Sequence, residues 1–535
     1  MKPRHGVKFF AFTFLTALTA LSSCTFGGEI QGKKGTLKIS IFEGGNGSTA
    51  FHKLAEAYKK YNPEANIEIN YSPLVRNECQ TAVETGQSDS DIFFVDGCTA
   101  MKGVETYHSI ADISELYSST PKAGTKEENM TIAEKIQPEI LEQMRYTGDM
   151  KDYQGKYYLA PWVSGPCSLI MNVDALNSTL GEGKWSTPRT SQELLDMCDR
   201  IVASESKIKI SGATYKVYPF IYSSAVEYWR YLYFTWIAQY MGIESYNEEF
   251  LRVKINGKYD MEAYFSEGKY KGYEEIEKII KRTNEYCDPV SLGNKFMASQ
   301  KYFLQGRACF YVTGDWFERE MEGSSYSANM KMVRTPIISC FADKFEKTFH
   351  VSLGADAAAK EETLRNIVTA IDNGETTYSG LSEEQFNYIR DTRGLTYTLG
   401  NTSYGIVPEC SVNKDMAIDF LRFFYSDEGI QINLDDTKAL LPVVGASSFQ
   451  PAGELSDFRK GVLDIYRAPY TKFIFGSAQD PIRYRGGLDC NVNNETPEAA
   501  MGKKSGAVTA DEYLEKERVL LSNRWADIMK YVSEN

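Results

Sequence analysis

Thr36-Leu-Lys-Ile-Ser-Ile-Phe42, Glu43-Gly-Gly-Asn-Gly-Ser48 and Thr49-Ala-Phe-His-Lys-Leu-Ala-Glu-Ala-Tyr58 follow one another near the start of the chain. The first stretch alternates apolar and polar residues with period two, as a strand does. The second is a glycine-rich turn. In the third, Phe51, Leu54, Ala55 and Tyr58 recur at i, i+3, i+4 and i+7, which predicts a helix with one apolar face. Asn62-Pro63 stops that helix, and Ala65 to Tyr71 alternates as a second strand. Asp91-Ile-Phe-Phe-Val-Asp96 is a short apolar strand closing on an acid and Gly97. Strands alternating with helices in this way predict an α/β fold on a largely parallel sheet.

The alternation restarts further on. Ser168 to Asn172 is an apolar strand, and Thr190-Ser-Gln-Glu193 is a capping box opening a helix that turns Leu194, Leu195, Cys198, Ile201 and Val202 inward. Tyr228 to Met241 is a dense aromatic helix with Trp229 and Trp236, and Ala308 to Thr313 is a strand running into Gly314-Asp315-Trp316. Two α/β units joined near residue 162 predict two lobes. Residues 355–400 read as a helical insertion on the surface. From Asp415, the positions of Met416, Phe420, Leu421 and Phe424 predict an amphipathic helix. A second capping box, Thr509-Ala-Asp-Glu512, opens a closing helix expected to pack through Leu520, Trp525 and Ile528.

The 535 residues are enough for two to four domains, and a formal charge of −13 argues against nucleic acid, which needs a basic face. Lys2, Arg4 and Lys8 precede the apolar run Phe9 to Leu21, too short to span a bilayer stably, so residues 1–23 read as a secretory signal. Leu21-Ser-Ser-Cys24 resembles the bacterial lipoprotein box, which makes Cys24 the lipidated first residue of the mature protein and 24–35 a flexible tether. The alternative is an ordinary signal peptide with a chance cysteine. Nine further cysteines include no C-x-x-C, and only His52, His108 and His350 follow the signal, so no metal site is expected. Cys167, Cys309 and Cys340 sit in apolar runs as small core residues. Cys79–Cys98 and Cys287–Cys309 are open as disulfide pairings. Gly44-Gly-Asn-Gly47 lacks the Gly-Lys-Ser/Thr ending of a phosphate loop, and no cofactor is expected.

Further segments carry a resemblance. Gly86-Gln-Ser-Asp-Ser-Asp91-Ile, Gly155-Lys-Tyr-Tyr-Leu-Ala-Pro161, Leu169-Ile-Met-Asn172, Thr187-Pro-Arg-Thr-Ser-Gln-Glu193, Phe303-Leu-Gln-Gly306-Arg-Ala-Cys-Phe310, Gly314-Asp-Trp316, Ala417 to Tyr425 and Leu441-Pro-Val443 follow in order after the opening stretch. In that order and spacing they resemble a bacterial extracellular solute-binding protein of the carbohydrate-binding group, family 1 type, in its lipoprotein form. The resemblance implies a two-lobe, type II periplasmic-binding-protein-like fold, here with the helical insertion and an extended C-terminal region. By resemblance the chain crosses between lobes near Pro161 to Pro166 and returns near Arg334 to Ile338. The first lobe is then 36–161 with 336–430, and the second 166–333 with 436–535.

The resemblance also implies a function: capture of a sugar or oligosaccharide between the lobes by a monomer and delivery to the permease subunits of an ABC transporter, outside the cytoplasm and tethered to the membrane by lipid. Sugars need flat aromatic surfaces for their C–H faces and directional hydrogen-bonding groups for their hydroxyls. Such groups belong past the carboxyl ends of strands. Glu43, Asn46, Asp96, Trp162, Trp229, Asp315, Trp316 and Tyr404 are the candidates. Trp316 is the stacking residue by resemblance; as a plain reading it is a core tryptophan at a strand end. Trp162 equally suits packing between lobes, Trp229 lies on an aromatic stripe that suits a core, and Asp96 and Asp315 also suit turn or helix-cap positions. The rival functions are a surface glycan-binding adhesin or scaffold on the same fold, and a glycan hydrolase. The sequence offers no recognisable acid and nucleophile pair, so the expectation is a protein that is not an enzyme.

Overall fold

The computed structural model describes residues 35–45, 49–97, 100–122, 129–438, 441–488, 492 and 494–533, without the side chain at 447. The signal segment, Cys24, nearly all of the tether, Asn46 and Cys98 lie outside the described residues.

Two mixed sheets organise the molecule. In the first, the strand order is 66–72, 36–42, 92–96, 403–406 and 160–161. Thr36–Phe42 runs parallel to both of its neighbours, while Ser403–Ile406 runs antiparallel to Ile92–Asp96 and to Ala160–Pro161. The predicted helix forms as Thr49–Tyr58 and buries Phe51, Leu54, Ala55 and Tyr58. Phe51 meets Phe94 of the central strand at 4.7 Å between ring centroids, and helix Lys414–Phe424 closes the same core through Phe420 and Phe424.

The second sheet is ordered 472–474, 395–398, 166–172, 308–314 and 218–220, with Met330–Val333 also paired to Pro166–Asn172. Every residue of Pro166–Asn172 and of Ala308–Gly314 is buried, because helices cover the sheet. Helix Arg230–Met241 lies against it, and Trp236 Nε1 donates to the Pro336 carbonyl at 3.0 Å.

The chain crosses from the first sheet to the second over 162–165, but it returns over 399–402 and not near Arg334 to Ile338. Non-local pairing decides this. Met330–Val333 pairs antiparallel with Pro166–Asn172, and the Ile337 N–H donates to the Arg189 carbonyl at 2.8 Å, which keeps the following chain on the second lobe. Residues 355–400 accordingly are not a surface insertion on the first lobe. They form helices Ala357–Asp372 and Glu383–Gly394, then the buried strand Leu395–Thr398 of the second sheet.

The two crossings run side by side. The Trp162 N–H donates to the Ser403 carbonyl at 3.0 Å, and Thr398 Oγ1 donates to the Gly165 carbonyl at 3.1 Å. A Cβ on Gly400 would lie 2.8 Å from Ser164 Cβ, so only glycine lets the two segments approach this closely.

The capping boxes form with one change. Thr509 and Glu512 bond reciprocally, whereas Thr190 caps Glu193 N–H at 3.1 Å and Glu193 accepts from Arg189 N–H instead. The closing helix, Ala510–Ser533, buries Tyr513, Leu514, Leu521, Ile528 and Val532, leaving Leu520 and Trp525 at the edge of the contact. Cys287 and Cys309 are free thiols, which corrects that pairing, while the Cys79–Cys98 pairing lies outside the described residues. Among the described residues no helix is long and apolar enough to cross a membrane, and no cluster of three or more histidine, cysteine or acidic residues is placed to hold a metal.

The C-terminal extension ties the lobes together behind the hinge. Helix Pro481–Tyr484 packs on the closing helix, itself seated on second-lobe helix Glu267–Ile280. Arg485, immediately after it, reaches Glu105 of the first lobe, with Nη2 2.6 Å from Oε1; their side chains are 8% and 1% exposed. Tyr146 and Tyr484 hydroxyls donate to the same carboxylate. Removing one partner of such a pair strands a buried charge, at a cost of roughly 3 kcal/mol or more. Arg485→Ala is expected to lose about that much stability in chemical denaturation, and Glu105→Leu combined with Arg485→Met to recover most of it.

Candidate functional site

Between the sheets lies a cavity of about 400 Å³ at the ends of their strands. The first lobe supplies Phe42, Glu43, Gly44, Arg76 and Asp96, and the hinge supplies Trp162, Val163, Gly165, Leu399 and Ser403. The second lobe adds Tyr228, Arg230, Tyr231, Asp315, Trp316 and Glu320, with Val226 and Phe296.

Trp316 follows strand Ala308–Gly314, and its ring folds back over Gly314: a Cβ there would sit 2.0 Å from a ring carbon. Tyr228 and Tyr231 meet the indole edge-on, with centroids 6.2 and 6.3 Å away. The ring is partly exposed, and across the cleft a Cβ on Gly45 (φ +78°) would lie 3.0 Å from Trp316 Cβ. The lobes therefore touch at this point. Nearby, Arg319 Nη1 donates to the Asp436 carbonyl at 2.8 Å; Asp436 belongs to helix Asp427–Thr437, which packs on Thr49–Tyr58.

Asp315 is 4% exposed and sits beneath the hinge, where a Cβ on Gly165 would lie 2.0 Å from its carboxyl carbon. Its N–H is used on the Pro166 carbonyl at 3.1 Å, and its Oδ2 is buried without a hydrogen-bond partner. Burial pushes its pKa up to about 6, against the opposing pull of Arg459. Arg459 is itself committed to Glu318 at 2.9 Å. Glu320 is likewise raised by burial and accepts from Gln300 Nε2 at 2.7 Å. On the first lobe, Arg76 Nε donates to Asp96 Oδ1 at 3.0 Å, and its guanidinium lies 4.1 Å over the Phe42 ring. Arg230 Nη1 pairs with Glu227 at 3.1 Å, while its Nε is buried with no acceptor.

Of the sequence candidates, the structure brings Glu43, Asp96, Trp162, Asp315 and Trp316 to one cavity. Glu43 is exposed at the rim. Trp162, 2% exposed, packs edge-on against Phe51 and Phe94 and forms the floor as part of the first-lobe core. Trp229 and Tyr404 are elsewhere. Trp229, 1% exposed, packs on Phe220 and Tyr222 in the second-lobe core. Tyr404 is buried in its strand, opposite Val95 and Pro161. Sequence reasoning missed Arg76, Tyr228, Arg230, Tyr231 and Glu320. Helical periodicity held a signal for two of them: Trp229 and Trp236 share one face at i and i+7, whereas Tyr228 and Tyr231 at i and i+3 lie on another.

No protein-family model and no curated protein matches this chain. Solved structures do. One comes from a study described as biochemical and structural insights into xylan utilization by the thermophilic bacterium Caldanaerobius polysaccharolyticus; it is 16% identical, spans 91% of this chain and 100% of its own, and superposes with a TM-score of 0.53. Another, a chitin oligosaccharide binding protein, is 14% identical over 92% of this chain and 100% of its own, with a TM-score of 0.56. At this identity the likeness is one of fold: the chain has a two-lobe α/β fold that it shares with these structures.

The buried acids set a pH dependence. Burial raises Asp315 from 3.8 to about 6 and pushes Glu498, a second fully buried carboxyl, up to about 7. The native state thus holds protons the unfolded chain has released, and stability falls as pH rises from about 4 to 7. Asp315→Asn is expected to raise stability near pH 8 by on the order of 2 kcal/mol and to leave it little changed near pH 4, read from denaturation midpoints across pH.

Proposed function

We propose that this chain is a substrate-binding protein that captures a sugar or oligosaccharide between its lobes and hands it to the permease subunits of an ABC transporter. The observation that carries the reading is one interlobe cavity combining the partly exposed Trp316 with the unpartnered Asp315 Oδ2 and Arg230 Nε. An aromatic face beside directional polar atoms is what a pyranose ring with its hydroxyls requires. Walls drawn from both lobes mean that a bound ligand favours the closed arrangement. Binding, not turnover, is the proposed activity. The two solved structures of like fold, one from work on xylan utilization and one a chitin oligosaccharide binding protein, support the choice of carbohydrate.

A thermal-shift screen over neutral oligosaccharides is expected to find a stabilising ligand, since saturation at a hundred times Kd contributes about 2.7 kcal/mol. Trp316→Ala is expected to weaken that ligand about thirtyfold or more in calorimetry. A screen without any stabilising sugar, or hydrolysis of the sugar that binds, would overturn the reading.

The same proposal places a lipid on Cys24, holding the protein at the outer face of the cell membrane. Expression of Cys24→Ser is expected to move the protein from the membrane fraction to the soluble extracytoplasmic fraction and to abolish incorporation of labelled fatty acid; unchanged membrane retention would argue against the anchor.

A further inference from the structure

The cleft holds two buried polar atoms of opposite kind without partners in the protein: the acceptor Asp315 Oδ2 and the donor Arg230 Nε. Both residues line the same cavity, Asp315 beneath the hinge glycine Gly165 and Arg230 at the start of helix Arg230–Met241. The other charges on the lining are engaged or at the rim. Arg76 is paired with Asp96, Arg230 Nη1 with Glu227, and Glu320 with Gln300, while Glu43 is exposed. Four acids against two bases leave the walls with an acidic excess.

We propose that the cleft is selective by charge and hydrogen-bond polarity: it takes an uncharged sugar whose hydroxyl or amide donates to Asp315 Oδ2 and accepts from Arg230 Nε, and it turns away acidic sugars. The inference rests on the carbohydrate reading above and narrows it. Sugar hydroxyls and amides both donate and accept, so separate groups of one ligand satisfy the two atoms. A ligand carboxylate only accepts. It would leave Asp315 Oδ2 unpartnered and set a second negative charge beside it in a place shielded from water. A buried polar atom left unpaired costs more than a made hydrogen bond contributes, so the discrimination comes mainly from what the wrong ligand fails to satisfy. Gly165 is part of the device: any larger residue at that hinge position would occupy the space of the Asp315 carboxylate.

The test is titration calorimetry on the full mature chain near neutral pH with neutral xylo- and chito-oligosaccharides, and with the same backbones carrying a glucuronate or carboxymethyl group. The neutral sugar that binds best is expected to exceed its acidic counterpart by about thirtyfold or more. Asp315→Asn, which keeps the shape and supplies an N–H, is expected to narrow that ratio to about threefold or less. Arg230→Met is expected to weaken the neutral sugar about tenfold. Equal binding of neutral and acidic sugars by the wild-type chain overturns the inference while leaving the carbohydrate reading intact. An unchanged ratio in an Asp315→Asn protein shown to be folded by its unfolding transition also overturns it. Failure of every saccharide to bind overturns the carbohydrate reading and the inference with it.

Discussion

The side-by-side passage of the chain through 162–165 and 399–402 is the constraint on which the rest depends. Each crossing carries the backbone from one sheet directly into a strand of the other, and the two are bonded to each other by Trp162 N–H on Ser403 and Thr398 on Gly165. Close approach requires Gly400 against Ser164 and Gly165 against Asp315. Lobe motion passes through these residues, because they join paired strands of the two sheets directly. The floor of the cleft is thus also its hinge, and Trp162 joins that floor to the first-lobe core.

Further contacts between the lobes flank this hinge. Behind it, Arg485 and Glu105 form a buried pair supported by two tyrosines. In front, Trp316 lies against Gly45 and Arg319 reaches the Asp436 carbonyl. Arg319 also stands 3.9 Å from the Asp436 carboxylate, but it and Trp316 are partly exposed, so the front contacts are weak individually; the rear pair is desolvated, and breaking it leaves a buried charge. The C-terminal extension therefore has a mechanical place in the fold as a strap across the hinge side.

Asp315 shows how site and stability oppose each other. A carboxylate sealed under a hinge glycine, with one oxygen unpartnered, is a cost to the free protein at neutral pH. The same residue lines the interlobe cavity together with Trp316 and Arg230, and on the proposed carbohydrate reading its open oxygen is the acceptor for a ligand hydroxyl. Functional sites commonly carry such local destabilisation.

Local order was legible wherever a pattern repeats within a few residues. The alternation of Thr36–Phe42, the apolar face of Thr49–Tyr58, the Thr190 and Thr509 caps and the Gly314-Asp315-Trp316 strand end all come from spacing of about one helical turn or one strand pleat. The acid and indole at 315 and 316, named from that strand end, line the cavity, as do Glu43, Asp96 and Trp162. What the sequence alone could not decide is which sheet Met330–Val333 and Leu395–Thr398 join, because strand pairing is made with residues far away in the chain and leaves no periodic mark. The same limit hid Arg76, Arg230 and Glu320 and drew attention to Trp229 and Tyr404. The chemical type of a side chain is written in the chain; whether it faces a core or a cleft depends on the element packed opposite it. Sequence by itself determined an α/β chain with two lobes and an aromatic, acidic strand end. Tertiary structure decided where the chain returns, what the 355–400 segment and the C-terminal extension do, and which acid is left facing the cavity, because each of these is set by contacts between distant segments.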